Sequence, residues 1–298
     1  MALTGATGFV GSNLLTALVN SGYLVKALTR RPQPGHERIR WINGDLNKHA
    51  ALAELVDGCA GIIHCAGITR GNSLARFLQV NLNGTQNLLA ATRKVTPTPR
   101  FLLVSSLAAR YPHYSWYARS KADAETLLLS ERYARLSRTI FRPTAVYGPG
   151  DKEMRPLFRL LRRGVLLAAG APTTRLSLIH VDDLTQAILL WLQTQAAQGL
   201  FELDDGNAGG YRWEDIASIG RDTWQRNVTR VQVPAILLKC AAHINLWLAR
   251  TCRYPAMLTP GKVNEVTHAN WVCDNAPLTT CIGWRPTIRL AEVLDSVV

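Results

Sequence analysis

The sequence predicts an α/β protein built on a doubly wound parallel sheet, with a smaller C-terminal lobe. Three observations carry that expectation. Short apolar runs alternate with helical patterns through the first two-thirds of the chain, the rhythm of a parallel sheet. A glycine-rich turn, Gly5-x-x-Gly8-x-x-Gly11, stands between the first apolar run and the first helical pattern. Beyond Gly148-Pro149-Gly150 that rhythm breaks, and after Phe201–Leu203 the chain becomes irregular and rich in Trp, Pro and short helices. With 298 residues, 47% hydrophobic and 18% charged, the composition is globular and the length suits one large domain or two lobes.

In chain order, the candidate strands are Ala2–Thr4, Leu24–Thr29, Ile39–Ile42, Gly61–Cys65, Phe101–Ser105 and Thr139–Arg142. The first is unusually short, so a few residues are expected upstream of it, and a signal peptide is not expected. Val10–Ser21 is the first helical stretch, stopped by Gly22. Leu74–Lys94 and Trp116–Tyr133 are the longest helical patterns. After the break come an Arg-rich helix over Met154–Arg163, a strand and helix over Leu176–Gln193, and a strand at Phe201–Leu203. Val233–Leu248 is the most hydrophobic late segment, but Lys239 and His243 interrupt it and it is too short to span a bilayer. No transmembrane segment is therefore expected. That segment reads as a helix packed on the second lobe, as an apolar lid over a lipid-like substrate, or as an interfacial helix in peripheral contact with a membrane.

Charge and cysteine usage narrow the class. The net charge is +13; residues 1–150 carry 18 Lys+Arg against 7 Asp+Glu, and residues 151–298 carry 16 against 14. A basic first half suits a polyanionic cofactor. No nucleic-acid motif accompanies the charge and aromatics are not interleaved with it, so no nucleic-acid partner is expected. The six cysteines show no C-x-x-C spacing. They read as reduced thiols in a cytoplasmic protein, and no metal site is expected.

The glycine turn follows an apolar strand and opens an amphipathic helix, the context in which the motif binds a dinucleotide. Gly5 permits the tight turn, Gly8 lets backbone approach a pyrophosphate, and Gly11 allows close helix–strand packing. Thr7, Phe9 and Val10 lie at the helix start, whose free N–H groups and positive dipole end face the phosphates. The first domain is accordingly of the Rossmann type, expected over 1–150 plus 175–203, with a substrate lobe over 151–174 plus 204–298 and a small-molecule substrate in the cleft between them. The second strand runs into Thr29-Arg30-Arg31-Pro32, with no carboxylate before Glu37. Arg30 and Arg31 suit a 2′-phosphate, so NADP(H) is the expected cofactor and NAD the alternative. Asp45, followed by Leu46, is a candidate for the adenine amino group or a helix N-cap.

Tyr117 and Lys121 stand four residues apart, on one face of a helix. A free phenol, with a pKa of about 10, is a poor base at neutral pH. An ammonium about 4 Å away contributes roughly 4 kcal/mol at an effective dielectric near 20, or about three pKa units in the favourable limit. That brings Tyr117 toward the range of general acid/base work.

With these motifs the chain resembles the extended short-chain dehydrogenase/reductases, the epimerase/dehydratase group, along essentially its whole length. Thr4-Gly5-Ala6-Thr7-Gly8-Phe9-Val10-Gly11 looks like their glycine loop, and His64-Cys65-Ala66-Gly67 like their small-residue turn beside the cofactor. Asn81-x-Asn83-Gly84-Thr85, the run from Phe141 through Pro143 and Thr144 to Gly150, Ile179-His180-Val181-Asp182-Asp183 and Gly283-Trp284-Arg285-Pro286 are similarly typical. The resemblance implies cofactor contacts at Cys65, Ala66, Gly67, Asn81, Pro143 and Thr144. It implies that Lys121 binds the nicotinamide ribose and that the strand-end Ser106, with Ser105 its neighbour in reserve, is the catalytic hydroxyl. A homodimer packed through the Leu74–Lys94 and Trp116–Tyr133 helices is implied as well.

The pattern also departs from the family. Leu107-Ala108 follows Ser106 where sugar dehydratases carry Asp-Glu, which argues against a 4,6-dehydratase. Sugar-nucleotide epimerases place an arginine four residues before the histidine that is His180 here; that position is Leu176, with Arg175 one step off. A second arginine expected before a late Pro-Gly is absent from Met257-Leu258-Thr259-Pro260-Gly261. The expected activity is an NADP(H)-preferring oxidoreductase or epimerase, on a nucleotide sugar or on an apolar, hydroxysteroid-like alcohol. A non-catalytic dinucleotide-binding subunit is the rival from another class.

Overall fold

The computed structural model describes residues 1–194 and 197–298. They form two compact units. One comprises Met1–Thr69, Ser73–Arg142 and Ile188–Phe201; the other comprises Arg70–Asn72, Pro143–Ala187 and Glu202–Val298.

The first unit alternates strand and helix: β1 (Ala2–Thr4), α1 (Phe9–Asn20), β2 (Val25–Thr29), β3 (Ile39–Asn43), α2 (His49–Val56), β4 (Gly61–His64), α3 (Leu74–Phe77), α4 (Gly84–Thr92), β5 (Arg100–Val104), α5 (Trp116–Leu129) and β6 (Arg138–Pro143). Pairings run parallel from β3 through β2, β1, β4 and β5 to β6. Strand order reverses between β1 and β4, the switch point at which doubly wound sheets bind ligands beyond the strand ends. The apolar core lies between sheet and helices, where Leu52, Leu55, Leu88, Phe101 and Leu128 are all buried.

Two helices differ from the sequence expectation. Leu74–Lys94 is helical without a break as far as Thr92 but not regular: α3 runs through a π-helical turn over Leu78–Asn83 into α4, with helical backbone at both junctions. The extra residue in that turn buries Asn81, whose amide bonds outside its own helix. The Trp116–Tyr133 helix stops at Leu129, because Ser130 takes an extended conformation before a short 3₁₀ turn at Glu131–Tyr133.

The second unit contains β7 (Ala145–Tyr147), α6 (Arg155–Arg162), β8 (Val165–Ala169), β9 (Leu178–His180), the start of α7 (Val181–Gln193), the end of β10 (Gly199–Leu203), α8 (Trp213–Trp224), β11 (Thr229–Val233), α9 (Ala235–Thr251), α10 (Pro260–Val266), α11 (Ala276–Ile282) and α12 (Leu290–Val293). β10 completes a seven-stranded sheet beside β6. Two small parallel pairs, β8 with β11 and β7 with β9, organise the rest. Its core gathers Tyr147, Phe158, Leu161, Leu166, Trp213 and Leu290. The late family-like motif is anchored here: the buried Asp183 carboxylate accepts from Thr287 N and Oγ1 and from Ile288 N, each at 3.0 Å.

Candidate active site

The glycine turn is shaped by backbone crowding. Gly5 has φ +77°, and a Cβ there would lie 2.7 Å from Ala66 N and 2.8 Å from the Cys65 carbonyl carbon. A Cβ on Gly11 would lie 2.0 Å from Gly5 O, so α1 can press onto the turn only without a side chain. Gly8 is the N-cap of α1; it gives no side-chain cap and the first helical turn has no acidic residue. Thr7 and Gly8 are exposed, Phe9 and Val10 half-buried. The helix start therefore offers backbone N–H groups and a dipole end with no acidic side chain or side-chain cap of its own, which fits a diphosphate.

Arg30 and Arg31 are exposed just past β2, where the Thr29 hydroxyl bonds Arg31 O at 2.7 Å and fixes the turn. Asp45 Oδ1 accepts from Asn47 N at 2.8 Å. The N-cap of α2 is Lys48, so Asp45 shapes the loop ahead of the helix and does not cap it. Leu46 is buried, and its side chain fills the space that a Cβ on Gly84 would take.

Tyr117 and Lys121 lie on the first turns of α5, which Ser115 caps by accepting from Ala118 N at 2.9 Å. The half-buried Tyr117 ring meets Phe77 edge-on, with centroids 6.4 Å apart. Lys121 is buried, and its Nζ donates to Val104 O, at the end of β5, at 2.8 Å. Burial lowers the Lys121 ammonium to about 8, while the Glu125 carboxylate pulls it the other way. It therefore remains protonated at neutral pH. Burial pushes the Cys65 thiol up to about 12, so it stays neutral beside that cation. A Cβ on Gly67 would lie 3.8 Å from Lys121 Nζ and 3.1 Å from Asn81 Oδ1, so this turn closes over the lysine.

The two strand-end serines have different duties. Ser105 is buried and donates to the Glu125 carboxylate, which Arg142 Nη2 holds at 2.5 Å. Ser106 is half-buried; its Oγ accepts from Ala108 N at 3.2 Å and caps a 3₁₀ turn over Leu107–Arg110 that packs on α5.

A buried polar chain, unread in the sequence, joins the loop strand to α5. Thr4 Oγ1 lies 2.6 Å from His64 Nδ1, and His64 Nε2 lies 2.9 Å from Thr85 Oγ1. Thr85 donates to Asn81 O at 2.6 Å, and Asn81 Nδ2 donates to Ser120 Oγ at 2.8 Å. Ser120 in turn donates to Tyr117 O at 2.8 Å. Asn81 also grips Ile68 through N–H and carbonyl, at 2.8 and 3.1 Å. Burial lowers His64 to about 3, with the Lys121 charge acting in the same direction, so the ring is neutral. The sequence signals were the two runs that hold its central members, His64-Cys65-Ala66-Gly67 and Asn81-x-Asn83-Gly84-Thr85.

Pro143 and Thr144 belong to the second unit, where Thr144 N donates to Leu203 O at 3.0 Å. In the same unit His180 is buried against Tyr147, with centroids 5.2 Å apart, and burial lowers its pKa. No group of three or more metal-ligating side chains occurs among the described residues.

Residues 1–203 match the NAD dependent epimerase/dehydratase family. A ceramide reductase of Caulobacter vibrioides is 35% identical over 284 residues, covering 93% of this chain and 87% of that protein. A UDP-glucose 4-epimerase of Vibrio cholerae is 29% identical over 252 residues, 75% of this chain and 76% of that one. Among solved structures, MoeE5 in complex with UDP-glucuronic acid and NAD has the same fold; its TM-score is 0.75 over 98% of this chain and 95% of that one, at 24% identity.

Proposed function

Because the chain belongs to the NAD dependent epimerase/dehydratase family, and is an NAD(P)-dependent oxidoreductase or epimerase, we propose that it reduces the ketone of a long-chain lipid with NADPH. The observation that carries the substrate class is the likeness to the Caulobacter ceramide reductase over 93% of the chain. The shifted and missing arginines point the same way, since a lipid ketone has no diphosphate to clamp.

Gly5, Gly8 and Gly11 hold the pyrophosphate at the start of α1, with Thr7, Phe9 and Val10 around it. Arg30 and Arg31 bind the 2′-phosphate, and Asp45 and Leu46 flank the adenine. Cys65, Ala66, Gly67, Asn81, Pro143 and Thr144 line the remainder. When bound, the dinucleotide supplies the hydride. Tyr117 donates the phenolic proton to the carbonyl oxygen as the carbon is reduced, so ketone, hydride and proton become the alcohol. Ser106 donates a hydrogen bond to the same oxygen while charge develops there. Ser105 is unsuited to that task because its hydroxyl is committed to Glu125. Lys121 stabilises the phenolate left on Tyr117 and binds the nicotinamide ribose. The six cysteines are free thiols, which suits a cytoplasmic location. A homodimer packed through α4 and α5 completes the proposal.

Nucleotide-sugar epimerisation is the second reading, favoured by the Vibrio relative. Turnover decides between them. Loss of NADPH absorbance with a detergent-dispersed keto lipid of the ceramide type, and no conversion of UDP-glucose, is expected. Conversion of UDP-glucose without keto-lipid turnover overturns the lipid reading.

A further inference from the structure

Helix α9 has two apolar faces, and only one is used within the second unit. Ala242, Leu246 and Ala249 are buried. Asn245 ties the helix down beside them: its Nδ2 donates to Leu258 O at 2.8 Å and its Oδ1 accepts from the Tyr254 hydroxyl at 2.6 Å. The other face is exposed. Ile236, Leu237, Ile244 and Trp247 are 65%, 59%, 61% and 66% exposed, and Leu248 extends the same stripe. At 3.6 residues per turn these five side chains fall within about 120° of arc. Isolated exposed apolar residues need no explanation, whereas a contiguous stripe on one helix marks an interaction surface.

Charge identifies what meets it. Residues 223–264 contain six Lys or Arg and no Asp or Glu. On α9 itself Lys239, His243 and Arg250 lie between the buried face and the exposed stripe, and Arg253 follows the helix end. An apolar stripe with an interfacial tryptophan, bordered by cations in a segment free of carboxylates, matches an anionic bilayer surface. At 17 residues the helix is too short to cross, and no helix among the described residues is long and apolar enough to do so.

We propose that α9 docks this protein flat on an anionic phospholipid bilayer, with Ile236, Ile244 and Trp247 in the acyl–headgroup boundary and Lys239 and Arg253 against the lipid phosphates. This docking surface stands apart from the identity of the substrate. It would bring a lipid-processing enzyme to its substrate's source, and it would also hold for another reaction.

Vesicle sedimentation of the full chain tests it. The protein should sediment with vesicles of phosphatidylcholine mixed with phosphatidylglycerol, weakly with phosphatidylcholine alone, and less in high salt. The Ile244→Ser/Trp247→Ser variant should lose at least about tenfold in partitioning, because most of the inserted apolar area is gone. Lys239→Gln/Arg253→Gln should lose several-fold on mixed vesicles only. NADPH titration of each variant checks that it is folded; should the apolar variant fail that check, the charge variant and the lipid dependence decide. Wild-type protein that stays in the supernatant, or variants that partition like wild type, overturns the proposal. So does a dimer in light scattering that the apolar substitutions dissociate without any vesicle uptake, which would assign the stripe to a second copy. Vesicle binding without keto-lipid turnover would leave this surface standing and remove the substrate reading.

Discussion

At the scale of single residues, Lys121 is unusual because a buried ammonium keeps its charge through a hydrogen bond to the Val104 carbonyl and the nearby charge of Glu125. Its pKa of about 8 has a direct consequence. The kcat/KM for NADPH, which reports the free protein, should fall as pH rises through about 8, because the cation proposed to stabilise the Tyr117 phenolate is lost. Lys121→Arg should move that fall to higher pH, and an unchanged profile would remove Lys121 from the proton-handling group. Tyr117→Phe should lower kcat by about 10²- to 10⁴-fold while NADPH binding stays within a few-fold, measured by turnover and fluorescence titration. His64 acts on stability. Its pKa is about 3 in the fold against 6.5 for an unperturbed imidazole, so the unfolded chain takes up the proton first as pH falls. The stability is intact above 6.5 and is lost as pH drops toward 3. His64→Asn should flatten that loss: between pH 7 and about pH 4, wild type should lose about 3 kcal/mol more than the variant in urea titrations.

At the scale of elements, the glycine turn separates packing from binding. Gly11→Ala places its Cβ 2.0 Å from Gly5 O, so α1 must move off the turn. Both thermal stability and NADPH affinity should fall, the former by about 1–3 kcal/mol. Gly8→Ala meets only Gly5 O, at 3.3 Å, so its melting temperature should stay near wild type while NADPH binding weakens. Equal stability losses in the two variants would show that the loop is not built this way. The same elements explain what could be read in advance. The strands from β1 to β6 were legible to within a residue or two, because buried strands announce themselves as short apolar runs bounded by turns. The π turn was not, because Asn81 is drawn inward by Ile68 and Ser120, partners 13 and 39 residues away. The linkage of Ser105 to Glu125 and Arg142 was not legible for the same reason: the three come from just past β5, from α5 and from β6. The pairing of β8 with β11 joins Val165 to Thr229, a separation no local pattern encodes.

At the scale of the whole molecule, the uneven charge bears on the choice of cofactor. Residues 1–150 hold 18 Lys+Arg against 7 Asp+Glu, and the rest of the chain is nearly balanced. Such a field attracts any dinucleotide, so it raises association with NADH and NADPH alike. Discrimination must come from groups close to the 2′-phosphate, and Arg30 and Arg31 are the candidates. Both are exposed, so salt with a Debye length of about 10 Å at 0.1 M screens them strongly. NADPH affinity should therefore exceed NADH affinity at low salt and fall more steeply as salt is added. Arg30→Ala/Arg31→Ala should bring the two salt slopes together and leave the shared attraction of the basic half. Fluorescence titration of both nucleotides over a salt series measures this. Parallel slopes for NADH and NADPH in the wild type would mean that the two arginines are surface charge, and that the cofactor is chosen elsewhere.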